Sequence, residues 1–136
     1  MSPDRNFPLR KDHEPPPAVS RLGWRYHHLG VPSSEPHDGE RYLTNLKMTV
    51  CGFNTSLFGV EWMRFDADCD VPEIVRRIPH VAFEVDDLDK ALEGFEVLVP
   101  PGVPSAGVRA AVIVENGAPI ELIEFRSPAG VSGSEY

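Results

Sequence analysis

The chain has 136 residues and a mass of 15.1 kDa, enough for about 7,000 Å² of folded surface against about 22,000 Å² extended, and hence for one domain with one core. With 14 prolines, 11 glycines, 41% apolar and 25% charged residues, an all-helical bundle is excluded and many punctuated strands are expected. Thirteen basic against 21 acidic side chains leave a charge of -8, which repels a phosphate backbone and argues against nucleic acid as a partner.

Residues 1–21, with Pro15, Pro16 and Pro17, hold almost nothing to pack. They read as a flexible tail or a surface strap with polyproline II character. No signal-peptide core precedes the domain and no apolar run reaches bilayer length, so a cytoplasmic protein without a membrane partner is expected. A domain over residues 22–127 follows. Its first part opens with a strand over Trp24 to Val31 ("WRYHHLGV"), closed by Pro32. The stretch "EPHDGERYLTNLKM" reads as a poor helix, with Pro36 in its first turn, Gly39 costing propensity, and Tyr42, Leu43 and Leu46 as its apolar stripe. "MTVCGF" and "SLFGVEWMRFD" are the next two strands. Cys51 and Cys69 form no C-x-x-C pair and are expected to be free thiols without redox duty.

The second part repeats the order. "IPHVAFEV" is a strand, "DDLDKALEGF" a short helix capped by Asp86 or Asp87 with Leu88, Ala91 and Leu92 on one face, and "FEVLVP" is extended before a loop "PGVPSAG". "VRAAVIVENGAPIELIEF" is an antiparallel hairpin with Asn116-Gly117 at its turn. Residues 128–136 read as a frayed tail.

The two parts align on each other. "YHHLGV" lies over "PHVAFEV" with His28 on His80, and "VEWMRF" over "IELIEF" with Glu61 on Glu121; the His-to-Glu span is shorter in the first copy. This gives module one as residues 22–70 and module two as residues 76–127. Each is too small to bury a core alone, so the two pack on one another, within a chain or across a dimer.

A carboxylate centred in an apolar strand is costly unless paired, protonated or coordinated. On the strand period of two, His80 shares a face with Ala82 and Glu84, and Glu121 with Ile123 and Phe125. Two imidazoles and two carboxylates at equivalent points of a duplicated unit suit a divalent cation such as Zn²⁺, Ni²⁺, Co²⁺ or Mn²⁺. The competing arrangement is metal-free, with the histidines hydrogen-bonded to the glutamates. His27 is expected on the opposite face from His28, Arg64 and Glu124 as solvent or interface residues, Trp62, Met63 and Phe65 as core or cavity lining, and His37 as an ordinary loop residue. Arg109 is either a solvated edge residue or a receiver of a ligand carboxylate or phosphate at the cavity rim.

"HHLGVP", "PHVAFEVDDLDKAL" and "GAPIELIEF" resemble the opening and closing strands of the vicinal oxygen chelate superfamily, the glyoxalase and bleomycin-resistance fold, over Trp24 to Phe125. The resemblance implies an α+β fold of two β-α-β-β-β modules whose sheet forms a cup, with His28, Glu61, His80 and Glu121 as ligands of a divalent metal. It further implies a lyase or isomerase acting on a small-molecule substrate, with Glu121 or Glu61 removing a proton next to a carbonyl. A non-catalytic small-molecule binding or resistance protein of the same fold is the alternative. In the glyoxalase I branch, arginines meet a glutathione carboxylate, and here Arg109, Arg21 and Arg25 are the residues that would serve. The short chain and compact first module favour a homodimer.

Overall fold

A computed structural model describes residues 8–126. The elements in chain order are α1 (Pro17–Ser20), β1 (Arg25–Pro32), β2 (Arg41–Leu43), a 3-10 turn (Thr44–Leu46), β3 (Met48–Cys51), β4 (Val60–Phe65), α2 (Glu73–Arg77), β5 (His80–Glu84), α3 (Leu88–Ala91), β6 (Glu96–Ser105), β7 (Val108–Glu115) and β8 (Ala118–Phe125). The α+β class and its duplicated order of strands are those expected of a glyoxalase-like fold. No helix among the described residues is long and apolar enough to cross a membrane. The chain forms two compact units, a central one over His27–Ala82 and a terminal one made of the described residues up to Tyr26 and from Phe83 onward. The expected C-terminal tail lies outside the described residues.

In the terminal unit the strand order is β5-β8-β7-β6. The β7–β8 hairpin keeps full register from Val108 opposite Phe125 to Glu115 opposite Ala118. Asn116 and Gly117 take φ of 49° and 80°, the two left-handed residues that a two-residue turn between right-twisted strands requires. Ala111 and Ile113 of β7 face the same side as Leu122 and Ile120 of β8, and they bury Val85 and Leu88 together with Trp24, Phe83 and Phe95. The α3 helix starts where Asp87 accepts from the Lys90 amide at 3.2 Å and stops before Gly94 at φ 83°, a capped start and a left-handed exit that the sequence carries in full. The loop expected at "PGVPSAG" is instead the far half of β6. Its pairing with β7 shifts register three times, around Val99, Gly102 and Ser105, because prolines 100, 101 and 104 bring no N–H to the ladder and are tolerated only on a strand paired on one side.

The described N-terminal residues form a braced strap. Arg21 holds Glu14 through Nε at 2.7 Å and a second guanidinium nitrogen at 2.8 Å, Ser20 Oγ donates to Glu14 at 2.9 Å, and the Trp24 amide reaches Ala18 O at 2.9 Å. The Arg21 and Ser20 hydrogen bonds pull the Glu14 carboxyl down from 4.5 to about 2. Its folded pKa lies below the unfolded one, so this brace contributes fully above about pH 4.5 and is lost as pH falls through about 2. In a ¹³C titration the Glu14 carboxyl is expected to turn over near 2, and at a higher pH in Arg21→Ala, where the Ser20 and Lys11 hydrogen bonds still hold it below 4.5; a wild-type midpoint near 4.5 would rule the brace out in solution.

In the central unit the order is β2-β3-β4-β1-β5. β1 runs parallel to β4, with Gly30 beside Glu61 and Val31 beside Trp62. β3 pairs antiparallel with β4, Val50 opposite Met63 and Met48 opposite Phe65, and these four side chains with Leu43 form the unit's core. The helix expected over "EPHDGERYLTNLKM" is absent. The chain instead turns at Gly39 (φ 78°), forms β2 opposite Val50 to Met48, and leaves the 3-10 turn through left-handed Lys47 (φ 53°). Pro36, Gly39 and a three-residue apolar stripe are too little to outweigh strand pairing. Cys51 and Cys69 are buried free thiols as expected, and burial pushes the Cys51 thiol up.

Candidate metal centre

Three of the four candidate ligands belong to the central unit. β1 sends His28 inward, and the parallel register of β1 and β4 brings Glu61 alongside Gly30, two residues further along the same face. His28 Nε2 lies 3.7 Å from Glu61 Oε1. His80 opens β5, and its ring meets that of His28 nearly edge-on, centroids 5.6 Å apart at 83°. Both histidines are sequestered, 1% and 7% exposed, and they offer ring nitrogens within 4.8 Å of one another. Phe53 stands edge-on to His28 at 5.7 Å and walls that side.

Gly30 makes the arrangement possible. A β-carbon there would lie 2.8 Å from His80 Nδ1 and 2.9 Å from Nε2, so the imidazole occupies the volume a side chain would take. This glycine needs no unusual φ; it is required for close approach. A small residue two places after His28 on the same strand face does not by itself say whose side chain takes its volume.

The fourth candidate, Glu121, belongs to the terminal unit. It sits half-buried on β8 opposite Val112 of β7, on the face turned away from the Leu122 and Ile120 core. Two imidazoles with carboxylate oxygens are the donor set of a borderline divalent cation, and the chemistry of these residues fits such a group.

Several expectations are corrected. The pleat sends His27 to the opposite face of β1, but its ring swings back and its Nδ1 lies 2.8 Å from His28 Nδ1. Glu124 is not a solvent or interface residue. It is 9% exposed, accepts from the Leu88 amide at 3.2 Å and pairs with Arg126 at 2.8 Å and Arg109 at 3.3 Å. Arg109 is partly exposed and engaged in ion pairs. It shares the helix-side face with Ala111 and is held by Asp89 at 3.1 Å as well as by Glu124, and the guanidinium keeps the Asp89 carboxyl below its usual range. Arg25 is held by Glu84 at 3.3 Å and Asp86 at 2.9 Å. His37, expected to be unremarkable, stacks on Trp62 at 4.9 Å and 13°. Met63 and Phe65 are core or core-lining as expected, and Arg64 pairs with Glu40 at 2.6 Å.

The methylmalonyl-CoA epimerase of Mycobacterium tuberculosis superposes with a TM-score of 0.52, over 76% of this chain and 89% of that one, at 18% identity. The chain has the vicinal oxygen chelate fold. A hypothetical protein of Bacillus halodurans gives a TM-score of 0.49 at 15% identity over 85% of this chain and 86% of that one. A variant of 4-hydroxymandelate synthase from Streptomyces coelicolor gives 0.44 at 16% identity over 88% of this chain and 53% of the longer enzyme. No protein-family profile matches the sequence, and no curated protein matches it. Within the vicinal oxygen chelate fold, His28 and Glu61 occupy the opening and closing strands of the first copy, and His80 and Glu121 those of the second.

Proposed function

We propose that this protein is a metal-dependent lyase or isomerase of the glyoxalase type, holding a divalent cation through His28, Glu61, His80 and Glu121 and removing a proton α to a carbonyl of a small substrate. The observation that carries the reading is the buried His28–His80 pair with the Glu61 carboxylate 3.7 Å from His28 Nε2. Glu121 enters through the duplication, as the counterpart of Glu61. A divalent cation held by these residues would supply Lewis-acid polarisation of a carbonyl oxygen. His28 and His80 are fixed donors, buried so that water does not compete with them. One of Glu121 and Glu61 takes the proton: the C–H bond breaks, its electron pair moves toward the carbonyl oxygen, and the carboxylic acid so formed returns the proton to the neighbouring carbon, whereas inversion at the same carbon needs the other glutamate, protonated, to donate from the opposite face.

The ion pairs of Arg21, Arg25 and Arg109 leave none of these guanidiniums for a glutathione carboxylate, which favours a substrate without one. An acyl-CoA epimer pair belongs in the test set because an epimerase acting on such a thioester shares this fold. A cytoplasmic homodimer completes the proposal.

The test begins with metal analysis of untagged protein purified without chelator. About one Zn, Ni, Co or Mn per chain is expected, with affinity more than about 100-fold weaker in His80→Ala, since loss of a ligand exceeds the 10–100-fold effect of outer-shell changes. Metal should also raise the melting temperature, because it binds only the folded chain. The loaded protein is then incubated in deuterated water with hemithioacetals of methylglyoxal and with acyl-CoA epimers. Exchange at the α-carbon supports the enzyme. Bound metal with no exchange in either set would overturn it in favour of a non-catalytic binding protein, and absence of metal would remove the site itself.

A further inference from the structure

The strand pleat sends His27 and His28 to opposite faces of β1, yet their Nδ1 atoms meet at 2.8 Å. The rings stand 5.1 Å apart at 72°, and Phe53 contacts both, His27 at 5.5 Å and 36° and His28 at 5.7 Å and 78°. Two neutral imidazoles joined through Nδ1 share one proton, so one ring donates and the other accepts. The nitrogen of His28 facing the Glu61 carboxylate is Nε2. For Nε2 to offer its lone pair to a cation, the His28 proton must sit on Nδ1 and point at His27.

We propose that His27 is a positioning residue: its Nδ1 accepts the His28 Nδ1–H bond in the metal-loaded protein, fixing both the tautomer and the rotation of His28, while its own proton sits on Nε2. The inference rests on the metal reading above. A metal-bound histidine ordinarily gives its second N–H to a carboxylate or a backbone carbonyl. Here the adjacent residue of the same strand takes that place with a neutral ring, so it orients the ligand without adding charge to a site that already holds carboxylates. Phe53 limits the rotation of both rings, so the contact is set by packing as well as by the hydrogen bond.

The test uses Zn²⁺, titrated against a chelating indicator into full-length wild type, His27→Phe and His27→Asn. Phenylalanine keeps a ring against Phe53 but has no acceptor, and is expected to weaken Zn²⁺ binding roughly 10–100-fold. Asparagine, whose Oδ1 takes the place of Nδ1, should bind within about threefold of wild type. A purely packing role would predict the reverse order. In ¹⁵N spectra of the Zn²⁺-loaded wild type, His28 should carry its proton on Nδ1. Equal affinity in wild type and His27→Phe, or a His28 proton on Nε2, would overturn the inference while leaving the metal site standing. A wild type that binds no Zn²⁺ in a His80-dependent way would overturn both. If His27→Phe does not fold, the asparagine variant and the wild-type spectrum still decide.

Discussion

Replacing the carboxylate proposed as the base by glutamine is expected to slow α-proton exchange by roughly 10²–10⁴-fold, the usual contribution of a positioned general base. Glu121→Gln and Glu61→Gln conserve shape and remove basicity, so each variant gives two readings, exchange rate and metal content. The variant that loses exchange while keeping its metal identifies the base. The one that loses both identifies a carboxylate needed chiefly as a ligand. Wild-type exchange in both loaded variants would remove the glutamates from the chemistry, and with them the proposed mechanism.

Gly30→Ala is expected to abolish metal binding, by more than about 100-fold, without replacing a ligand. The added methyl meets the His80 imidazole, whose nitrogens lie 2.8 and 2.9 Å from that point. The β1 backbone cannot retreat, because it is paired to β4 from Leu29 to Pro32, so the ring must swing away. Such overpacking costs typically about 1–3 kcal/mol of stability. The double variant with His80→Ala offers a direct check by urea denaturation. The methyl then occupies the space the ring has left, and stability should recover while metal binding does not. Additive losses in the double variant would show that the two groups do not collide.

The sequence made those elements legible whose local chemistry and tertiary setting agree. β1, β5 and the β7–β8 hairpin show alternation bounded by glycine or proline, and α3 carries its own cap in Asp87. The duplication of His28–Glu61 in His80–Glu121 was readable because it needs only order and face. Where local signal was weak, pairing decided: Tyr42 and Leu43 went into β2 because Thr49 and Met48 stood ready to receive them. The prolines of β6 resembled a loop because their tolerance depends on the strand having a neighbour on one side only, which is a property of the sheet. The swing of His27 toward His28 and the surrender of Gly30's volume to His80 are side-chain placements. No period-of-two pattern encodes them.

β2 and β6 end the strand order of their respective units, and neither is a usable template for another chain. β2 is three residues long. β6 is ten residues long but interrupted by prolines and out of register with its own partner three times, so an incoming strand would find neither a continuous row of donors nor a flat ribbon to lie along. Natural sheets protect exposed borders from edge-to-edge growth by such means. The described residues therefore carry a safeguard against fibrous assembly, and any second copy would have to be recognised by side chains rather than by extension of the backbone ladder.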